Sequence, residues 1–113
     1  MHLDQIAAMS ERRSRSWFPG IYASNSSTPL PAYFALALLG EAGEFCNLVK
    51  KQLRVAESIH ATDEIRDELA DVLIYLCLLA RSLNVSLEDA YDWKVEKLYK
   101  RWGNPFMNDE SST

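Results

Sequence analysis

Apolar residues recur at helical spacing in four places along this chain, and the polar stretches between them carry turn and cap signals. From Leu3 to Ser16, Leu3, Ile6, Ala7 and Met9 fall on one side of a 3.6-residue period, with Glu11, Arg12, Arg13 and Arg15 following, which predicts a short amphipathic helix. Phe18-Pro19-Gly20 and the run from Asn25 to Pro31 are too rich in turn residues for regular structure. They predict a loop, carrying Trp17, Phe18 and Tyr22, that either covers the core or folds over a ligand. Pro31 suits the first turn of a second helix, where its missing N–H costs nothing, and the pattern runs on to about Val55. Periodicity lapses over 56–61. Thr62 then reads as an N-cap, with Asp63 and Glu64 in a first turn where the helix dipole favours acids. The third helix is expected to run to Leu83 and stop at Asn84. Ser86 with Asp89 three residues on resembles a capping box and opens a fourth helix that reaches Trp102 and closes at Gly103.

The third helix is apolar nearly all round from Val72 to Ala80, the mark of a helix buried on several sides. Three companions in a chain of 113 residues would struggle to cover it, so a homo-oligomer is expected. Gly40 and Gly43 each cost about 1 kcal/mol in a helix interior relative to alanine. Close approach of another helix or of a ligand would explain them. Cys46 and Cys77 sit in apolar runs and form no CxxC, so they read as buried thiols and not as a zinc site or a disulfide. At 48% hydrophobic and 25% charged residues the composition is that of a soluble globular domain. No apolar stretch reaches the ~18 uncharged residues of a membrane span, and the N-terminus lacks the order of a secretory signal. These features predict a cytoplasmic protein without a membrane partner. A net charge of −4 argues against a nucleic-acid groove and is compatible with a phosphate ligand that arrives with its own metal.

Two carboxylate pairs interrupt the apolar pattern. Glu41 and Glu44 break the run from Tyr33 to Val49, and Glu68 and Asp71 stand at the mouth of the run that follows. An i, i+3 spacing puts both members of a pair on one side of a helix. Either pair alone reads as a solvated stripe. Two such pairs aimed inward form an all-oxygen site of the kind that hard cations such as Mg²⁺ or Mn²⁺ prefer, and Mg²⁺ takes its remaining ligands from water and substrate phosphates. Glu57-Ser58-Ile59-His60 is an ExxH, but di-iron bundles use that element twice and it occurs once here. Lys50, Lys51 and Arg54 follow the first pair, and Lys94, Lys97 and Arg101 form a stripe at spacings of three and four, which reads equally well as an ordinary solvated face.

Gly40-Glu41-Ala42-Gly43-Glu44, then Lys50-Lys51, then Asp67-Glu68-Leu69-Ala70-Asp71 through Leu76 resembles the ExxE and ExxD pair of MazG-like nucleoside triphosphate pyrophosphohydrolases. The resemblance implies an all-α fold of about four helices, assembled as a tetramer or dimer. The resemblance covers roughly 32–103, the core of the one domain over 1–103 that the chain's length supports, and the polar stretch 104–113 reads as a disordered tail. The resemblance further implies Mg²⁺-dependent hydrolysis of a (deoxy)nucleoside triphosphate to monophosphate and pyrophosphate, as a house-cleaning or pool-adjusting activity. Carried over, Glu41, Glu44, Glu68 and Asp71 are the metal ligands, and Glu41 is also the residue that orients or deprotonates the attacking water. Tyr75 and Trp17 lie beside the nucleotide, and Lys94, Lys97 and Arg101 hold phosphate. The chain departs from relatives at Leu98, where asparagine is frequent, at Lys51, where some cytidine-preferring relatives have tryptophan, and in its long loop from Pro19 to Pro31, which leaves the base open. The alternative from another class is a non-catalytic helical oligomer that binds nucleotide or a partner protein.

Overall fold

The computed structural model describes residues 2–55 and 59–107. Four helices make up the regular structure of these residues: α1 (Leu3–Trp17), α2 (Leu30–Val55), α3 (Asp63–Ser82) and α4 (Leu87–Trp102). The loop expected after α1 contains one turn of 3-10 helix, Pro19–Tyr22, because Pro19 supplies the φ of a first turn and donates no hydrogen bond. Glu57 and Ser58 of the ExxH, and residues 108–113 of the tail, lie outside the described residues. Asn104 to Met107 close into a turn in which the Asn104 Oδ1 accepts from the Phe106 N–H at 2.8 Å.

Helices α2 and α3 form an antiparallel hairpin, and α1 lies along the other side of α3. Phe34 is the anchor, 1% exposed, with Tyr33 edge-on at 5.5 Å and Tyr22 tilted over it at 6.2 Å. Tyr22 is fixed in turn by donating its hydroxyl to Ser14 Oγ at 2.8 Å. The loop therefore covers the core at Tyr22. Ile65, Cys77, Leu78 and Ala80 of α3 and Ala7 of α1 complete the buried hydrophobic set among the described residues.

Thr62 caps α3 by accepting from the Ile65 N–H, and Ser86 caps α4 by accepting from the Asp89 N–H, both at 3.2 Å. Between them α3 ends in a Schellman motif. Asn84 takes the left-handed conformation at φ 57°, while the Val85 N–H reaches back to Ala80 O and the Asn84 N–H to Arg81 O. That motif turns the chain by 97° into α4. The turn is clamped to α1 by reciprocal capping: Asp4 accepts from the Ser86 hydroxyl (2.6 Å) and the Glu88 N–H (3.3 Å), while Glu88 accepts from the Asp4 N–H (2.9 Å). Farther along α1, Glu11 bridges Arg81 at 2.7 Å and Arg15 at 3.1 Å.

Several expectations are corrected. Cys77 is fully buried but Cys46 is exposed, because it lies one turn on from Gly43, on the side of α2 turned away from α3. No side chain or backbone lies within 4 Å of where a Cβ at Gly40 or Gly43 would stand, so nothing within the described protomer packs closely on either glycine. α3 is covered on two sides only: Leu69, Leu73 and Leu76, one helical stripe, are 39–49% exposed. By length and a mean hydropathy of 1.2, α2 meets the criteria for a membrane span, although a count of uncharged residues admits none. Its central glutamates argue for a bundle helix, since an acid at the bilayer centre costs about 2.5–3.5 kcal/mol or more.

The protomer is extended for its size. Its radius of gyration is 18.4 Å, where a compact chain of this length has about 13 Å.

Candidate metal centre

The hairpin register brings Glu41 and Glu44 of α2 against Glu68 of α3, whereas Asp71, the fourth predicted ligand, stands outside this group. Carboxylate oxygens of Glu41, Glu44 and Glu68 all lie within 4.8 Å of one another. Glu41 and Glu68 are half-buried, and the Oε2 atom of each is shut off from solvent with no hydrogen-bond donor. Native structures rarely leave a buried acceptor so, and a carboxylate less than other groups. Glu68 responds as the crowding requires. Its close approach to the Glu41 carboxyl raises its pKa above the usual range, followed by its burial and the charges of Glu41 and Asp71, while Glu44 acts in the opposite direction. Two inward-turned oxygens without donors, among like charges, fit a cation. The donor set is all oxygen, which suits Mg²⁺ or Mn²⁺ and not a thiophilic metal.

Asp71 stands one turn from Glu68 at the mouth of a separate cavity of about 280 Å³. Three helices and the loop wall it with aromatic and aliphatic groups, among them Trp17, Phe18, Tyr33, Phe34 and Tyr75. Trp17 and Tyr75 thus line the same cavity as Asp71. Burial first, then the neighbouring Tyr33, Glu41 and Asp71, raises the Tyr75 pKa, so its hydroxyl keeps its proton and can donate. On the other side of the cluster, Glu44 and Glu68 border a second cleft of about 310 Å³ that holds Asn47, Lys51, Glu64 and Asp67.

Lys94, Lys97 and Arg101 lie elsewhere. They are exposed on α4, which leaves α3 at 97°, and none of them lines either space beside the carboxylates. Lys97 Nζ sits 3.4 Å over the Trp93 ring, and Arg101 lies 5.1 Å from the Trp102 ring. Within one protomer the cation next to the cluster is Lys51. Sequence reasoning noted Lys51 without giving it a place in the site, and it passed over Ser10, Arg13 and Ser14, which also line the aromatic cavity. The signal was available for the serines: Ser10 and Ser14 continue the stripe of Leu3 and Ala7 at steps of three and four.

The profile of the MazG nucleotide pyrophosphohydrolase domain matches residues 31–106. The chain is also 36% identical over 106 residues, 89% of each protein, to the Gene 37 protein of Mycobacterium phage L5. No solved structure matches it. The domain match takes in both carboxylate pairs and α4, and the phage relative extends the similarity over nearly the whole length, so the chain belongs to the MazG nucleotide pyrophosphohydrolase family.

Proposed function

We propose that this chain hydrolyses nucleoside triphosphates, ordinary or damaged, to monophosphate and pyrophosphate. The observation that carries the reading is the pair of donor-less oxygens on Glu41 and Glu68, set between an aromatic cavity and a cleft that holds a lysine. Glu41, Glu44, Glu68 and Asp71 would hold Mg²⁺ or Mn²⁺. A divalent cation bound there neutralises phosphate charge and lowers the pKa of an attacking water. Glu41, beside that cation, would orient or deprotonate the attacking water. Trp17 and Tyr75 flank the base in the cavity, and Lys51 in the opposite cleft meets the outgoing phosphates. Lys94, Lys97 and Arg101 take part only if a second protomer carries its α4 to the cleft. Assembly into a dimer or tetramer is part of the proposal: the extended protomer and the bare stripe of Leu69, Leu73 and Leu76 both call for a partner surface.

The test is product analysis of a triphosphate panel with Mg²⁺ and with chelator. Monophosphate and pyrophosphate are expected, in Mg²⁺ only, and Glu41→Gln should lower turnover on the order of 10²-fold or more. Release of orthophosphate and diphosphate overturns the assignment. Nucleotide binding without turnover, unchanged by Glu41→Gln, would favour a non-catalytic binding protein.

A further inference from the structure

The aromatic cavity has one polar end. Helices α1 and α3 run antiparallel, since Glu11 meets Arg81 and Asp4 meets Ser86. Ser10, beside Glu11, therefore lies toward the Leu78 end of α3, seven residues and about 10 Å of helix rise from Asp71. A base entering past Asp71 and Tyr75, with its sugar left at the carboxylates, presents its far edge to that end. Ser10 and Ser14 there are 2% and 7% exposed, on the stripe of α1 where apolar side chains would pack best. Ser14 Oγ is engaged by the Tyr22 hydroxyl. Ser10 Oγ accepts from the Arg13 guanidinium at 3.4 Å, a loose bond that draws Arg13 against the cavity wall and leaves most of its five N–H donors free. Arg13 has no ion pair among the described residues, and Asp71 at the opposite end is the one acidic group lining the cavity.

We propose that Arg13, held by Ser10, is a specificity-determining residue that selects nucleobases carrying a ring carbonyl at the edge remote from the sugar, the 4-oxo group of a pyrimidine or the 6-oxo group of a purine. The inference rests on the proposed triphosphate reading and adds to it the class of base. A guanidinium offers donors only: its planar fork can set two N–H groups on O6 and N7 of a 6-oxopurine, or point them at the single O4 of a 4-oxopyrimidine. An exocyclic amine at the same place sets donor against donor and gives the fork no acceptor, so the contact made with an oxo group is lost.

Two matched pairs isolate this edge, UTP against CTP and ITP against ATP, each differing at the 4 or 6 position. With Mg²⁺, the oxo member of each pair should be favoured in kcat/KM by about 5- to 150-fold, the range of one bidentate arginine contact. In Arg13→Met, which keeps the length and helix preference of the side chain, the ratio should fall toward one. Arg13→Lys should recover only part of it, since the fork is lost. Equilibrium dialysis of UMP, CMP, IMP and AMP repeats the comparison without turnover. If no triphosphate yields pyrophosphate, the catalytic reading fails while dialysis still tests Arg13. Turnover with no preference, or with the amino member preferred, overturns the inference and leaves the catalytic reading intact. A uniform loss on all four triphosphates in Arg13→Met, with the ratios unchanged, also overturns it, because Arg13 would then be serving phosphate.

Discussion

Replacing Glu68 by glutamine separates a metal site from a structural carboxylate cluster. Glu68 lies within 4.8 Å of Glu41 and Glu44, its inner oxygen has no donor, and its folded pKa is raised. For an acid with a raised folded pKa, the metal-free folded state loses stability as pH rises from the unfolded value through the folded one. At neutral pH Glu68 therefore works against the metal-free fold. Glu68→Gln removes the charge, keeps the shape, and should leave the metal-free protein as stable as the parent or more so. Mg²⁺ should do the opposite for the two chains. A cation bound only by the folded parent stabilises it by about 2.7 kcal/mol at a hundredfold excess over its dissociation constant, a rise in Tm on the order of 10 °C for a domain of this size. In Glu68→Gln that rise should shrink to a small fraction. Thermal melts of both chains at pH 7.5, in Mg²⁺ and in chelator, read all four values. If Glu68→Gln melts far below the parent in chelator, the carboxylate is a structural partner, because removing one member of a structural pair leaves the other without its partner. An equal Mg²⁺ shift in both chains would place the ion elsewhere.

Other outcomes follow from the same structure. Light scattering should report at least a dimer, and Leu73→Glu, in the middle of the bare α3 stripe, should shift the population toward monomer; a parent that is monomeric at micromolar concentration would count against the assembly. Phe34→Ala should cost about 3–5 kcal/mol in urea unfolding, and a loss under 1 kcal/mol would mean that Phe34 does not anchor the three-helix core. The Ser86 hydroxyl, then the backbone of Glu88 and Leu87 and the charge of Arg81, hold Asp4 below its ordinary value of 3.8 against the effect of its burial. Its contribution is present above that value and is lost as pH falls through the lower folded one. Asp4→Asn should therefore lower stability at pH 6 and flatten the fall between about pH 5 and 2; an unchanged acid limb would refute the clamp.

What could be read from the sequence was local. Thr62, Ser86 and Asn84 act at short range through their own side chain or φ, and the structure uses each as the sequence predicts. The meeting of Glu41 and Glu44 with Glu68 was legible because two i, i+3 pairs on helices joined by a short linker have few ways to avoid each other. Which side of α2 stays bare was not. Cys46, Gly40 and Gly43 share a face whose apolar character says "covered" without saying by what. The direction of α4 was equally hidden, since one left-handed residue and the Asp4–Glu88 clamp set it, and the clamp joins positions 84 residues apart. The resemblance gives Lys94, Lys97 and Arg101 a phosphate role, while their spacing fits a solvated face equally well and says nothing of the 97° turn that carries them off.

On the proposed reading, the order of groups along α3 also accounts for which phosphoanhydride bond breaks. Leu78, Tyr75, Asp71, Glu68 and Glu64 follow at intervals of three or four residues along one side of the helix, a rise of about 5 Å each. The stretch from Leu78 to Asp71 belongs to the aromatic cavity, and that from Glu68 to Glu64 to the cleft with Lys51. With the base filling the first, the first phosphate beyond the sugar is the one that meets the carboxylates, and the next two extend toward Lys51. The water that Glu41 deprotonates is then nearest the α phosphorus. Under the proposed function, α–β cleavage would follow from the base cavity directly adjoining the carboxylates along α3. Filling that cavity with Ser14→Trp should weaken base binding and, by letting the nucleotide slide, raise the share of orthophosphate among the products. An unchanged product ratio at reduced turnover would show that the carboxylates alone set the bond cleaved.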